Sequence, residues 1–136
     1  MIELFARSPK MREAVSLAER VSATDANVLI TGESGAGKDL LATFIHSKSR
    51  RAAQPFVKID CATLPGDLLE AELFGYERGA FTGAVEARAG RFEAAQKGTI
   101  VLDEIAHLST DAQAKLLRVI ERREFERLGG RKTINL

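Results

Sequence analysis

The sequence predicts an α/β domain with a parallel sheet flanked by helices. Three observations predict it. Short apolar runs at Asn27–Thr31, Phe56–Asp60 and Thr99–Leu102 read as buried strands, and each is followed by a stretch with helical spacing. A glycine-rich segment, GESGAGKD (Gly32–Asp39), lies between the first run and a helix. The third run ends directly in two carboxylates, Asp103 and Glu104.

Each element has its local reason. Ser8 offers a capping hydroxyl and Pro9 fits the first helical position, so Met11, Ala14, Val15, Ala18 and Val21 mark a helix over about 9–21. NVLIT (27–31) is the first strand, and LLATFIH (40–46) resumes helical spacing behind the glycines. FVKID (56–60) is the second strand, and PGDLLEAELF (65–74) is a short helix. GYERGAFTGA (75–84) has neither the strand nor the helix period, and its three glycines give up backbone order. GRFEAA (90–95) reads as one or two helical turns and TIVL (99–102) as the third strand. Thr110 and Gln113 form a T-x-x-Q capping box that opens a helix to about Arg123. EFERLGGRKTINL, about 124–136, reads as a hairpin turning at Gly129-Gly130.

Length and composition exclude several classes. At 136 residues the chain is one domain or a piece of one. Its 20 basic and 19 acidic residues give a net charge of +1, so no global field holds nucleic acid or an anionic membrane. One cysteine, Cys61, forms no internal disulfide framework and suits a reducing compartment. The apolar runs fall far short of the roughly 20 residues a bilayer span needs. Charges interrupt MIELFARSPKMRE too early for a signal peptide, so the chain reads as soluble and cytoplasmic.

GESGAGKD fits the G-x-x-x-x-G-K pattern of a phosphate-binding loop. Glycines let the backbone wrap a phosphate, Lys38 reaches the β- and γ-phosphates, and the helix start favours an anion. An ordinary glycine-rich turn is the competing reading. The place after the lysine, normally Ser or Thr for magnesium, is Asp39. TIVLDE supplies a second element, a Walker B arrangement: Asp103 for Mg2+ through its waters and Glu104 to orient or deprotonate the attacking water. Ligands of open α/β sheets sit at strand ends, so both motifs are expected to converge on one site. The alternative is that Asp103 and Glu104 only cap the next segment.

VLITGESGAGKDLLATFIH, FVKIDCATLPGDLLEAELFGYERGAFTGA, GRFEAAQKGTIVLDEI and AKLLRVIERREFERLGG resemble consecutive blocks of the AAA+ domain of bacterial sigma-54-dependent activators. The resemblance covers almost the whole chain, and the hexad Gly79, Ala80, Phe81, Thr82, Gly83, Ala84 is that family's signature in full. It implies a P-loop NTPase that takes ATP and Mg2+ and forms hexameric rings. Gly32, Glu33, Ser34, Gly35, Ala36, Gly37, Lys38 and Asp39 are then the nucleotide grip, with Lys38, Asp103 and Glu104 catalytic and Asp103 the metal residue. The hexad loop is implied to engage the sigma-54 RNA polymerase holoenzyme and drive promoter opening.

The family usually carries an acidic residue where Asp39 stands, so Asp39 accords with this branch. It usually has Asn where Asp60 stands, at a switch position thought to restrain the catalytic glutamate. A carboxylate there is expected to repel Glu104 and raise the pKa of one of the pair. Ala6 replaces a favoured glycine. In the family the sensor strand, the arginine fingers, the helical lid subdomain and the DNA-binding helix-turn-helix lie beyond the equivalent of Leu136. The chain is therefore expected to be a truncated α/β part with little turnover as a free monomer, since an arginine finger is worth 10³-fold or more in rate. A nucleotide- or polymerase-binding module without turnover is the alternative function.

The remaining candidates have blander readings. Cys61, His46 and His107 have no partners at metal or catalytic spacing. Arg122, Arg123, Arg127, Arg131 and Lys132, interleaved with Glu121, Glu124 and Glu126, read as a mixed solvated face rather than a DNA surface. Phe81 either tucks into its own core or docks on a partner, and its place between GA and TG favours the partner.

Overall fold

The computed structural model describes residues 8–33 and 37–136. The chain divides into two compact units, Met1–Gln54 and Pro55–Leu136. Ala6 and Ser34–Ala36 lie outside the described residues.

In the first unit, helix α1 spans Pro9–Ser22, with the Ser8 hydroxyl accepting the Met11 N–H at 3.1 Å. It packs on α2, Lys38–Lys48, which buries Ala42, Phe44 and His46. The His46 imidazole meets the Gln54 carbonyl through Nε2 at 3.1 Å, a satisfied interior histidine. The strand expected at 27–31 does not form: among the described residues no ladder includes it, and Leu29 is 75% exposed. An apolar β-branched run becomes a strand only when a neighbouring backbone accepts its hydrogen bonds, so the composition alone did not decide this element.

In the second unit, β1 (Phe56–Asp60) and β2 (Thr99–Asp103) form the parallel pair expected, in register from Phe56 opposite Thr99 to Asp60 opposite Asp103. Helix α3 runs Gly66–Phe74, and a single turn, α4, covers Arg91–Ala94. A 3-10 turn at Ile105–His107 leads to α5, Thr110–Arg122. The cap of α5 is Ser109, whose hydroxyl accepts from the Ala112 N–H at 3.1 Å. The expected Thr110 box is thus displaced by one residue, because a hydroxyl three positions before a free N–H is equally served by the preceding serine. Gln113 instead donates its side-chain N–H to the Leu108 carbonyl. The hairpin is real but short: β3 (Glu124–Phe125) pairs antiparallel with β4 (Ile134–Asn135), joined by a longer connection than a two-residue Gly-Gly turn.

The core of this unit centres on three rings. Phe74 from the end of α3, Phe92 from α4 and Phe125 from β3 stand with centroids 5.4, 6.0 and 5.9 Å apart. Leu69, Leu73, Leu108, Ala112 and Val119 complete it. Beside the rings, Gly75 and Gly90 bring their backbones together. A Cβ on Gly75 would lie 2.6 Å from the Gly90 nitrogen and 2.5 Å from the Arg88 carbonyl, and Gly75 has φ +75 besides. The two glycines close the neck of the Tyr76–Ala89 loop. Gly90 has an ordinary φ of −94, so close approach alone requires glycine there. Gly90→Ala should cost about 1–3 kcal/mol in urea unfolding, whereas Gly66→Ala, with nothing near its added Cβ, should be neutral or slightly stabilising.

Candidate functional site

The phosphate-loop candidates begin with Gly32 and Glu33, both exposed, and resume at Gly37. Gly37 holds φ 89, ψ 22, the left-handed region, immediately before α2. A Cβ there would meet nothing within 4 Å, so the conformation and not the space requires glycine. Lys38 is the first residue of α2, Asp39 lies in its first turn, and the Leu41 N–H returns to the Gly37 carbonyl at 3.0 Å. A left-handed glycine, a helix start without a side-chain cap and a lysine at the first position suit an anion.

The strand-end carboxylates stand at the C-terminal limit of β2. One oxygen of Asp103, Oδ1, accepts the Glu104 N–H at 2.9 Å, which leaves Oδ2 for an external ligand among the described contacts. Glu104 sits at φ 57, ψ 48, a left-handed conformation that costs a non-glycine residue energy. This turn aims the chain off the strand, and Glu104 is exposed. Asp60 pairs laterally with Asp103 in the ladder, and its carboxylate accepts the Ala62 N–H at 2.9 Å in a tight local turn. This hydrogen bond lies within its own turn.

Cys61 lies between these carboxylates, buried to 1% exposure, with its N–H on the Asp103 carbonyl at 2.9 Å. Burial pushes its thiol above the ordinary range, and the charges of Asp60 and then Asp103 push it further. His107 is exposed on the 3-10 turn, as a surface residue.

The hexad is more ordered than its glycines suggest. The Gly79 N–H reaches the Ala84 carbonyl at 2.8 Å, closing the hexad end to end, and the Ala84 N–H reaches Phe81 at 3.1 Å. Gly79 and Gly83 take φ +82 and +98 with open space around them, so they are conformational requirements. Ala84 is buried, Ala80 rests against the backbone of Gly129, and Phe81 is 43% exposed with its ring edge-on to Tyr76 at 4.9 Å. Tyr76 exchanges both backbone hydrogen bonds with Arg88, and the Glu77 N–H donates to the Leu128 carbonyl at 3.0 Å.

One residue of this loop base was not legible in the sequence. Arg127 is not part of a solvated face. Its guanidinium grips Glu93 through two hydrogen bonds of 3.0 and 2.9 Å and reaches Glu77 at 3.3 Å. It thereby ties α4, the loop base and the hairpin together. Arg118, likewise, pairs with Glu124 and Glu126, in keeping with the mixed face expected around it. Among the described residues no helix is long and apolar enough to cross a membrane.

Comparison with known proteins places the chain. The family model described as the sigma-54 interaction domain matches residues 4–136. The transcriptional regulatory protein FlbD of Caulobacter vibrioides is 50% identical over 133 residues, 98% of this chain and 29% of FlbD. The response regulator protein FleR of Pseudomonas aeruginosa is 54% identical over 131 residues, 96% of this chain and 28% of FleR. The chain thus spans less than a third of the length of either relative. Among solved structures, NtrX from Brucella abortus in complex with ATP is 39% identical with a TM-score of 0.86, covering 99% of this chain and 28% of that one. The P-loop NTPase domain of a sigma-54 transport activator from E. coli, 23% identical with a TM-score of 0.52, shares the fold.

The Cys61 thiol yields a sign for alkaline stability. The unfolded thiol loses its proton at about pH 8–9, whereas the buried one keeps it to higher pH. The folded state then binds more protons, so stability is fully present below about pH 8 and falls as pH rises above it. Cys61→Ala should flatten the alkaline limb of a denaturation-against-pH curve. An unchanged slope would show that the thiol is not the group responsible.

Proposed function

The chain belongs to the sigma-54 interaction domain family, and we propose that it is the nucleotide-binding, polymerase-engaging α/β part of an ATP-driven transcriptional activator of the cytoplasm. The observation that carries this reading is the hexad loop: closed on itself, gripped at its neck, and presenting Phe81 half-exposed. Gly32–Asp39 hold the phosphates, with the Lys38 ammonium on the outer ones and the start of α2 supplying N–H groups. Asp103 would hold Mg2+ through its waters, and Glu104 would orient or deprotonate the attacking water. Bound Mg2+ supplies neutralisation of charge on the transferring phosphoryl group. Asp60, in the switch position, has no N–H to donate and so would leave Glu104 less restrained than an amide there would.

Energetics set the form of the polymerase contact. Full burial of a phenylalanine is worth roughly 1.5–3 kcal/mol, and Phe81 has less than half its surface left to bury. A micromolar complex needs about 8 kcal/mol. Several loops presented together, in a hexameric ring of the complete protein, supply by multivalency what one cannot. DNA recognition in this reading belongs to a separate C-terminal domain.

Two substitutions separate the functions. Lys38→Ala should reduce affinity for a fluorescent ATP analogue by tenfold or more while leaving the hexad unchanged. In the complete activator, Thr82→Ala should keep nucleotide affinity within about twofold and abolish sigma-54-dependent promoter opening. Loss of nucleotide binding in Thr82→Ala would make the loop structural and overturn its assignment.

A further inference from the structure

Phe81 has two places to be. Beside it lies a groove of about 300 Å³ whose apolar lining includes Leu64, Leu68, Ala71, Tyr76 and Phe81 itself. Its apolar wall is half-open to water, with Leu68 53% and Leu64 37% exposed. A phenylalanine on a glycine-flanked loop gains by burying more of its ring in such a groove. Phe81 forms part of the lining yet stays 43% exposed. Its ring stands edge-on against Tyr76 at 4.9 Å, an interplanar angle of 66°. The Tyr76 main chain is held in place, bonded to Arg88 and bridged to Leu128. Its hydroxyl makes no hydrogen bond among the described contacts, so the ring and not the polar group is what the site uses.

We infer that Tyr76 is a positioning residue for the hexad: its ring stops Phe81 from burying further in the groove and holds it out for sigma-54. This rests on the reading that Phe81 contacts sigma-54. Without the ring, Phe81 retracts into the space Tyr76 vacates, so its exposure falls rather than rises. A merely structural tyrosine predicts the opposite, a looser loop with a more exposed Phe81.

The chain has one tyrosine and no tryptophan, which makes the test direct. Ring–ring proton contacts between Tyr76 and Phe81 should be visible by NMR in the unaltered chain, and their absence overturns the inference. With Phe81→Trp as the only indole, adding Tyr76→Ala should shift emission to the blue and lower iodide quenching about twofold, whereas Tyr76→Phe should change neither. Higher quenching in Tyr76→Ala also overturns it. Titration with purified sigma-54, followed on the Gly79 and Gly83 amides, should show about three- to tenfold weaker binding for Tyr76→Ala and full rescue by Tyr76→Phe. If Phe81→Ala leaves the amide perturbation intact, the reading of Phe81 as the contact fails. If Phe81→Ala removes it while Tyr76→Ala matches the parent, that reading stands and the positioning role falls.

Discussion

The packing of Phe74, Phe92 and Phe125 governs the larger unit. Each ring comes from a different segment, so three parts of the chain distant in sequence share one apolar centre. Burying a phenylalanine is worth roughly 1.5–3 kcal/mol, and a well-placed ring pair adds about 0.5–1.5. Because Phe74 precedes the Tyr76–Ala89 loop and Phe92 follows it, their stacking fixes where the loop leaves and where it returns. The backbone contact of Gly75 with Gly90 is possible only because neither carries a Cβ. Phe125 brings the hairpin to the same place, and Arg127, two residues on, lies within reach of Glu93 and Glu77.

That constraint gives the loop a firm base and a tip with little support of its own. The base has aromatic packing, a bidentate arginine pair and backbone hydrogen bonds to the hairpin. The tip has internal hydrogen bonds, one ring contact and two left-handed glycines. Such a division would let the tip move as a piece, since a rotation at the neck would carry the closed hexad without unmaking it. The same logic separates the two glycine roles. Gly75 and Gly90 are demanded by close approach, Gly79 and Gly83 by backbone angle.

At the end of β2 the sheet register does the corresponding work. Pairing Phe56 with Thr99 forces Asp60 beside Asp103 four residues later. Asp60 therefore stands beside Asp103 on the neighbouring strand, while Glu104 turns off the strand in the left-handed region. Cys61, buried against both aspartates, registers their charge in its raised thiol pKa.

Much of this was legible from residue patterns, and what was not follows one rule. The helices, β1 and β2 depend on local signals: spacing, a capping serine or proline, a glycine before a lysine. Sequence by itself determined those, together with the family the hexad belongs to. The run at 27–31 has strand composition but no partner to complete a ladder, and a ladder is a property of two segments. Arg127 looked like one charge in a mixed surface because Glu93 lies 34 residues away, beyond any local pattern. The glycines of the hexad announced an unusual backbone without saying that the loop would close on itself or that Phe81 would lean on Tyr76. Only tertiary packing decided these, because each is a contact between groups whose separation along the chain carries no signal until the core brings them together.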